Sequence, residues 1–186
     1  MKRRLILCLT LAASALLTSC ASPTAADYAA EKPVLDLKTY FNGDLTAHGM
    51  FTDRSGKVVR RFVVTMKCTW QGDDGVLDED FQYSDGTKQR RIWRLKALPN
   101  GKYEGRADDV VGVAQGSVSG NAFRWQYTLA LPVDGRVWNV EFDDWMFLMD
   151  EEVMINKAVM SKFGVRLGEV TLSFKRRSPM PIKGQS

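Results

Sequence analysis

From residue 35 onward, apolar and polar side chains alternate with a period of two, in short runs separated by turn-forming residues. The run 58–70 is the clearest: Phe62, Val64, Met66, Cys68 and Trp70 face one way, and Arg61, Thr65, Lys67 and Thr69 the other. Residues 44–52 place Leu45, Ala47, Gly49 and Phe51 on one face. Residues 122–131 set Phe123, Trp125, Tyr127, Leu129 and Leu131 against Arg124, Gln126 and Thr128. The segments 76–83, 87–97, 102–107, 110–119, 136–149, 153–160 and 165–175 read the same way. Between them stand Asp53-Arg54-Ser55-Gly56, Gly72-Asp73-Asp74-Gly75, Ser84-Asp85-Gly86, Pro99-Asn100-Gly101, Gly120-Asn121 and Asp134-Gly135. These residues tolerate positive φ or fix a tight turn. No stretch sustains a helical period; 151–163 is the one helix candidate, and it reads equally as a strand.

About ten sequential strands joined by hairpins predict an all-β fold, an up-and-down antiparallel meander. Such a sheet must close or cover its edges. The expected architecture is therefore a lipocalin-like, closed or nearly closed β-barrel. A curved half-barrel with a helix plug is the alternative, and a two-sheet sandwich ranks third. No internal repeat or second domain is visible, and about 150 residues suffice for one core.

The first twenty residues follow another pattern. Lys2, Arg3 and Arg4 precede an apolar run from Leu5 to Leu17, shorter than the roughly 20 residues a membrane span needs. This is the layout of an export signal. Leu17-Thr18-Ser19-Cys20 resembles the lipobox of bacterial lipoprotein precursors, which implies cleavage before Cys20 and acylation of its thiol and new amino end. Ala21 in place of an aspartate resembles the sorting pattern for the outer membrane, so the expected location is the cell envelope, on the outer membrane facing the periplasm. The expected organisation is a signal peptide over 1–19, a lipidated end and flexible spacer over 20–33, one β-barrel domain over 34–176, and a tail over 177–186.

Removing the signal changes the charge argument. Lys2, Arg3 and Arg4 leave with it and no acid does, so 23 basic and 22 acidic residues remain. That balance offers no basic face for nucleic acid. Cys8 falls within the signal and Cys20 carries lipid, which leaves Cys68 with no partner for a disulfide and no metal-type Cys/His spacing. No cofactor is implied.

Charged residues inside apolar patterns are the candidate site. Glu79 shares a face with Leu77, Phe81 and Tyr83; Arg91 shares one with Trp93 and Leu95. If those faces point inward, a Glu79–Arg91 pair is expected, because an unpaired buried charge is costly. If they point outward, both are solvated. With Trp93, Trp125, Tyr127 and Asp143 these residues form the candidate ligand-binding set, apolar groups giving affinity and charges orienting a head group. Adjacent strand residues face opposite ways, so Asp108-Asp109 and Asp143-Asp144 can each offer one carboxylate inward; Asp143 or Asp144 is also placed to pair with Arg106 or Arg124. His48, the single histidine, has no nucleophile marked beside it, and Cys68 lies on an apolar face.

The blocks Tyr40-Phe41-Asn42-Gly43, 49–56 (GMFTDRSG), 77–86 (LDEDFQYSDG), 107–112 (ADDVVG) and Phe142-Asp143-Asp144-Trp145-Met146 resemble the bacterial lipoprotein family known as domain of unknown function 3833, over nearly the whole mature length. That resemblance implies no activity. Three functions fit the residues: a membrane-tethered protein binding or carrying a lipid-like or other apolar ligand in its barrel, an enzyme acting on a lipid or glycan through aspartates, and an assembly lipoprotein with a filled barrel.

Overall fold

The computed structural model describes residues 22–133 and 135–177. The expected signal peptide, Cys20 and the tail from residue 178 lie outside the described residues.

Ten antiparallel strands form a closed barrel: β1 (Gly43–Asp53), β2 (Val58–Gln71), β3 (Asp74–Tyr83), β4 (Lys88–Leu98), β5 (Lys102–Arg106), β6 (Ala114–Ser119), β7 (Ala122–Val133), β8 (Arg136–Leu148), β9 (Val153–Lys162) and β10 (Val165–Arg176). Each pairs with its neighbours in sequence, and β1 closes onto β10 in a register running from Leu45↔Arg176 to Asp53↔Gly168. Alternation decides the facing, since a period-two pattern can bury only one side of the sheet. Phe62, Val64, Met66 and Cys68 point inward on β2, and Val140, Phe142, Met146 and Leu148 on β8. The residues 151–163 contain a strand, β9, whose Met154, Asn156 and Ala158 are buried. Gly105 is needed on β5 because a Cβ there would lie 2.7 Å from the Trp125 and Leu95 side chains.

Two expectations are corrected, and a third feature adds to the expected barrel. First, β6 begins at Ala114, not at residue 110. The chain from residue 107 leaves the β5 ladder and runs beside β7: Val110 bridges Leu129, the Val111 N–H donates to Thr128 O at 2.9 Å, and Asp109 O accepts from Ala130 N at 2.9 Å.

Second, the flexible spacer ends earlier than residue 33. Ala25–Tyr28 form a 3₁₀ turn, with Asp27 Oδ2 accepting from the Thr24 N–H at 2.7 Å. The Tyr28 ring packs on the outer face of β8, with centroids 5.5 Å from Trp145 and 5.1 Å from Phe147. A single aromatic side chain leaves no period in the sequence. The segment then crosses the β6–β7 turn, where a Cβ on Gly120 (φ +54°) would overlap the Tyr28 carbonyl.

Third, one barrel end is plugged. Helix α1 (Leu37–Tyr40) is one turn long and is capped by Asp36, whose Oδ1 accepts from the Lys38 and Thr39 N–H groups at 3.0 and 3.2 Å. Leu35, Leu37, Tyr40 and Phe41 are buried in the barrel end. The Tyr40 hydroxyl reaches Glu152 O and Phe174 O at 3.0 and 3.2 Å, and Trp70 Nε1 donates to Phe41 O at 2.7 Å. A plug therefore accompanies full closure rather than replacing it.

Candidate binding site in the barrel lumen

The lumen holds a cavity of about 860 Å³. Leu37 and Phe41 form its floor. Its lining at the opposite end includes Asp53, Val59, Arg60, Val133 and Leu167, on the β1–β2, β7–β8 and β9–β10 hairpins. The walls near this mouth are apolar and partly accessible, among them Phe51, Leu131, Met160 and Leu172. Around the rim Val58, Val59, Val137, Val165 and Leu167 are exposed, and Phe163 is 89% exposed at the β9–β10 turn.

Near the middle of their strands, five residues bring polar groups into this apolar tube: Glu79 on β3, Arg91 on β4, Tyr127 on β7, Asp144 on β8 and Asn156 on β9, whose Nδ2 donates to Trp145 O at 3.4 Å. Glu79 and Arg91 are direct partners in the β3–β4 register. The guanidinium is nevertheless held by a different carboxylate. Arg91 Nε donates to Asp109 at 3.0 and 3.1 Å and Nη2 donates to Asp109 Oδ2 at 2.7 Å. The segment that displaced the start of β6 delivers Asp109 to this point. Beyond Arg94↔Arg106, β4 has no β5 partner, and the Arg91–Asp109 pair bridges that part of the wall. Burial works against the Arg91 charge, but the Asp109 hydrogen bonds and the field of Glu79 outweigh it and raise the pKa further.

The two remaining carboxyl groups are held in an unfavourable setting. Burial, with added repulsion from Asp109 and Asp144, outweighs the attraction of Arg91 and pushes Glu79 up to about 7. No hydrogen bond reaches its carboxylate among the described residues. Asp144 is 6% exposed. Its Oδ2 accepts from the Tyr127 hydroxyl at 3.0 Å, while Oδ1 is buried with no partner among the described residues. Burial again dominates, and Asp144 also stands at about 7. Burial raises the Tyr127 phenol well above its ordinary value.

The candidate residues from the sequence divide accordingly. Glu79, Arg91, Trp93, Trp125 and Tyr127 all line the lumen. Trp93 sits 5.3 Å from Tyr127 and 5.7 Å from Trp125 between ring centroids. Asp143 does not line it, and this assignment is corrected. It faces outward and pairs with Arg124, whose Nε and Nη2 donate at 2.7 and 2.9 Å. Asp144 takes the inner position because Phe142 and Met146, two residues either side, point inward. The expected Glu79–Arg91 ion pair is likewise replaced by Asp109–Arg91. Trp138 has the inner parity but lies beyond the wall, 41% exposed. Burial pushes the Cys68 thiol up to about 12, which keeps it unreactive. His48 is exposed on the outer face of β1. Among the described residues, no group of three or more His, Cys, Asp and Glu side chains is arranged to hold a metal ion.

The sequence matches one family model, protein of unknown function (DUF3833), over residues 14–176. The chain belongs to this family. The match covers the whole barrel and supports the resemblance seen in the sequence blocks. No curated protein shows significant sequence similarity to the chain. Among solved structures, the S-type phycobiliprotein lyase CPES from Guillardia theta superposes with a TM-score of 0.59 at 6% identity, covering 84% of this chain and 100% of that one. A DUF3598-family protein of unknown function from Nostoc punctiforme gives 0.52 at 12% identity, over 86% of this chain and 53% of that one. At such identities the likeness is one of fold alone.

Proposed function

We propose that this protein is a lipid-anchored envelope protein whose barrel lumen binds a lipid-like molecule. The observation that carries the reading is the lumen itself, a cavity of about 860 Å³, plugged at one end and lined by apolar side chains. A tube of this size matches the volumes of small-molecule sites, which are mostly apolar with a few placed polar groups. The exposed apolar rim around the mouth gives an amphiphile a continuous apolar route from outside to lumen. The lipobox-like Leu17-Thr18-Ser19-Cys20 supports a tether on the outer membrane, with the barrel in the periplasm.

The test uses the full chain carrying Cys20→Ala, prepared without detergent. Native mass spectrometry of this protein is expected to retain one apolar molecule per chain, and added dodecyl amphiphiles should change its tryptophan emission. A bare mass together with a flat emission response would sink the reading. Acylation is checked separately, by the mass of the Cys20 peptide from membranes: an unmodified thiol there would remove the tether.

One observation favours a second reading. Glu79 and Asp144 both stand at about 7, a range suited to proton transfer, so an acid–base enzyme acting on a bound lipid or glycan is the competing proposal. Under that reading Glu79→Gln and Asp144→Asn abolish turnover while ligand binding persists. Under ours, no turnover accompanies binding.

A further inference from the structure

The hydrogen-bonding inventory of the lumen defines what kind of head group it can accept. Arg91 supplies the cationic donors in mid-lumen; its Nε and one N–H of Nη2 are committed to Asp109, and Nη1 makes no hydrogen bond among the described residues. The Tyr127 hydroxyl has a single hydrogen, already donated to Asp144 Oδ2. Unmatched acceptors outweigh the one cation beside them: among the described residues, Asp144 Oδ1 is buried and without a partner, and the buried Glu79 carboxylate accepts no hydrogen bond. Both groups line the cavity. A buried acceptor left unmatched is destabilising, and a ligand that supplies the missing donor recovers that loss.

We infer that the lumen selects amphiphiles whose polar head donates hydrogen bonds, such as an amine, a primary amide or a hydroxyl, over those ending in a free carboxylate. This rests on the lumen-binding reading above and names the ligand class for the same site. At about pH 8 a carboxylate head could meet the remaining Arg91 N–H groups, but it would add a fourth negative group to Glu79, Asp109 and Asp144 around a single guanidinium, in a medium of low polarity. An ammonium head brings three donors and a neutralising charge; an amide brings two donors without charge. The tail then runs toward the mouth between Phe51, Leu131, Met160 and Leu172, in the accessible apolar part of the tube.

The competing placement puts a carboxylate at the mouth, on Arg60, with its tail pointing down. Arg60 is partly committed there, although its Nε is buried with no hydrogen-bond partner among the described residues. It stacks on Tyr83, 3.5 Å from the ring centroid, and pairs with Asp85 at 2.8 Å.

The two placements separate in one experiment. Dodecylamine, dodecanamide, dodecanol and laurate share one tail and differ only in head, and each is titrated into the full chain carrying Cys20→Ala at about pH 8, followed by calorimetry. The amine and the amide are expected to bind about tenfold more tightly than laurate, the factor that one hydrogen bond to a charged group supplies. In Asp144→Asn the amine's advantage over laurate should shrink to about threefold or less, with dodecanol within about twofold of its original affinity. Glu79→Gln should shrink it independently. Laurate binding as tightly as the amine, equal affinity for all four heads, or laurate binding that Arg60→Ala abolishes would each overturn the inference. In those cases lumen binding itself still stands. If none of the four binds, the lumen-binding reading falls and takes this inference with it.

Discussion

The two ends of the barrel are built on opposite terms. At the plugged end, α1 and its flanks place Leu35, Leu37, Tyr40 and Phe41 in the barrel end, and the plug's own polar groups find partners: Tyr40 reaches Glu152 and Phe174, Phe41 O accepts from Trp70, and Asp36 caps its own helix. At the mouth, hairpins carry apolar side chains into solvent. Phe163 stands at φ +52°, where a residue lacking Cβ, or Asn, would be at ease. One end is specified by packing, the other by what it leaves unpacked. The difference teaches where stability and binding reside, and it makes substitutions at the two ends behave differently.

The largest effect belongs to the plug. Leu37 is 1% exposed, and Leu37→Ala should destabilise the fold by about 3 kcal/mol through lost burial and a new void. Thermal melting should register this as a drop of roughly 10 °C. Next comes the place where the mouth-side wall is sealed by side chains. Asp109→Ala leaves Arg91 without its bidentate partner and should cost about 2 kcal/mol, below the range for fully buried pairs because Asp109 is partly exposed and Glu79 stands by. A melt unchanged by Asp109→Ala would show that the ladder, not the ion pair, holds that wall.

The third prediction concerns pH. Glu79 and Asp144 hold protons in the folded barrel up to about 7, whereas in the unfolded chain they ionise near ordinary carboxyl values. The folded state therefore binds more protons between about pH 4 and 7, and stability falls as pH rises through that window. Melting temperature should rise by several degrees on going from pH 8 to 6, and Asp144→Asn should remove about half of that rise. At lower pH the trend reverses, since Asp53, Asp78, Asp85 and Asp150 are held low by hydrogen bonds to side chains and turn backbone and lose them on protonation. A melting temperature flat from pH 8 to 6 would show that the lumen carboxyls are solvated. The smallest effect lies on the rim. Phe163→Asn should change stability by less than about 0.5 kcal/mol, toward stabilisation, by relieving the positive φ. If it costs as much as Leu37→Ala, the contrast between the ends is wrong.

The walls were legible in the sequence because alternation leaves a repeating trace over ten or more residues, as in β2 and β7. The plug left none: a one-turn helix is shorter than the period that would reveal it, and its only local sign is Asp36 ahead of the turn. The lumen carboxylates needed phase as well as composition. Asp143 and Asp144 are chemically identical in sequence, but Phe142 facing inward also commits Asp144 to the inside. Asp109 could not be reached that way. It enters the lumen because β5 and β6 are short and the chain between them folds back along β7, a choice made by tertiary pairing rather than by local pattern.

The closing pair β1–β10 has a kinetic consequence. Every other ladder joins strands adjacent in sequence and can zip as a local hairpin; this one brings together residues such as Thr46 and Arg177, 131 positions apart. Non-local pairing of this kind is slow, because most of the chain must be ordered before the contact rewards it. Until β10 arrives, β1 keeps an open edge able to recruit a strand from another molecule. A chain that emerges amino end first holds that edge unpaired until β10 has appeared. The interval between the first strand and the last is thus when this barrel is most exposed to misassembly.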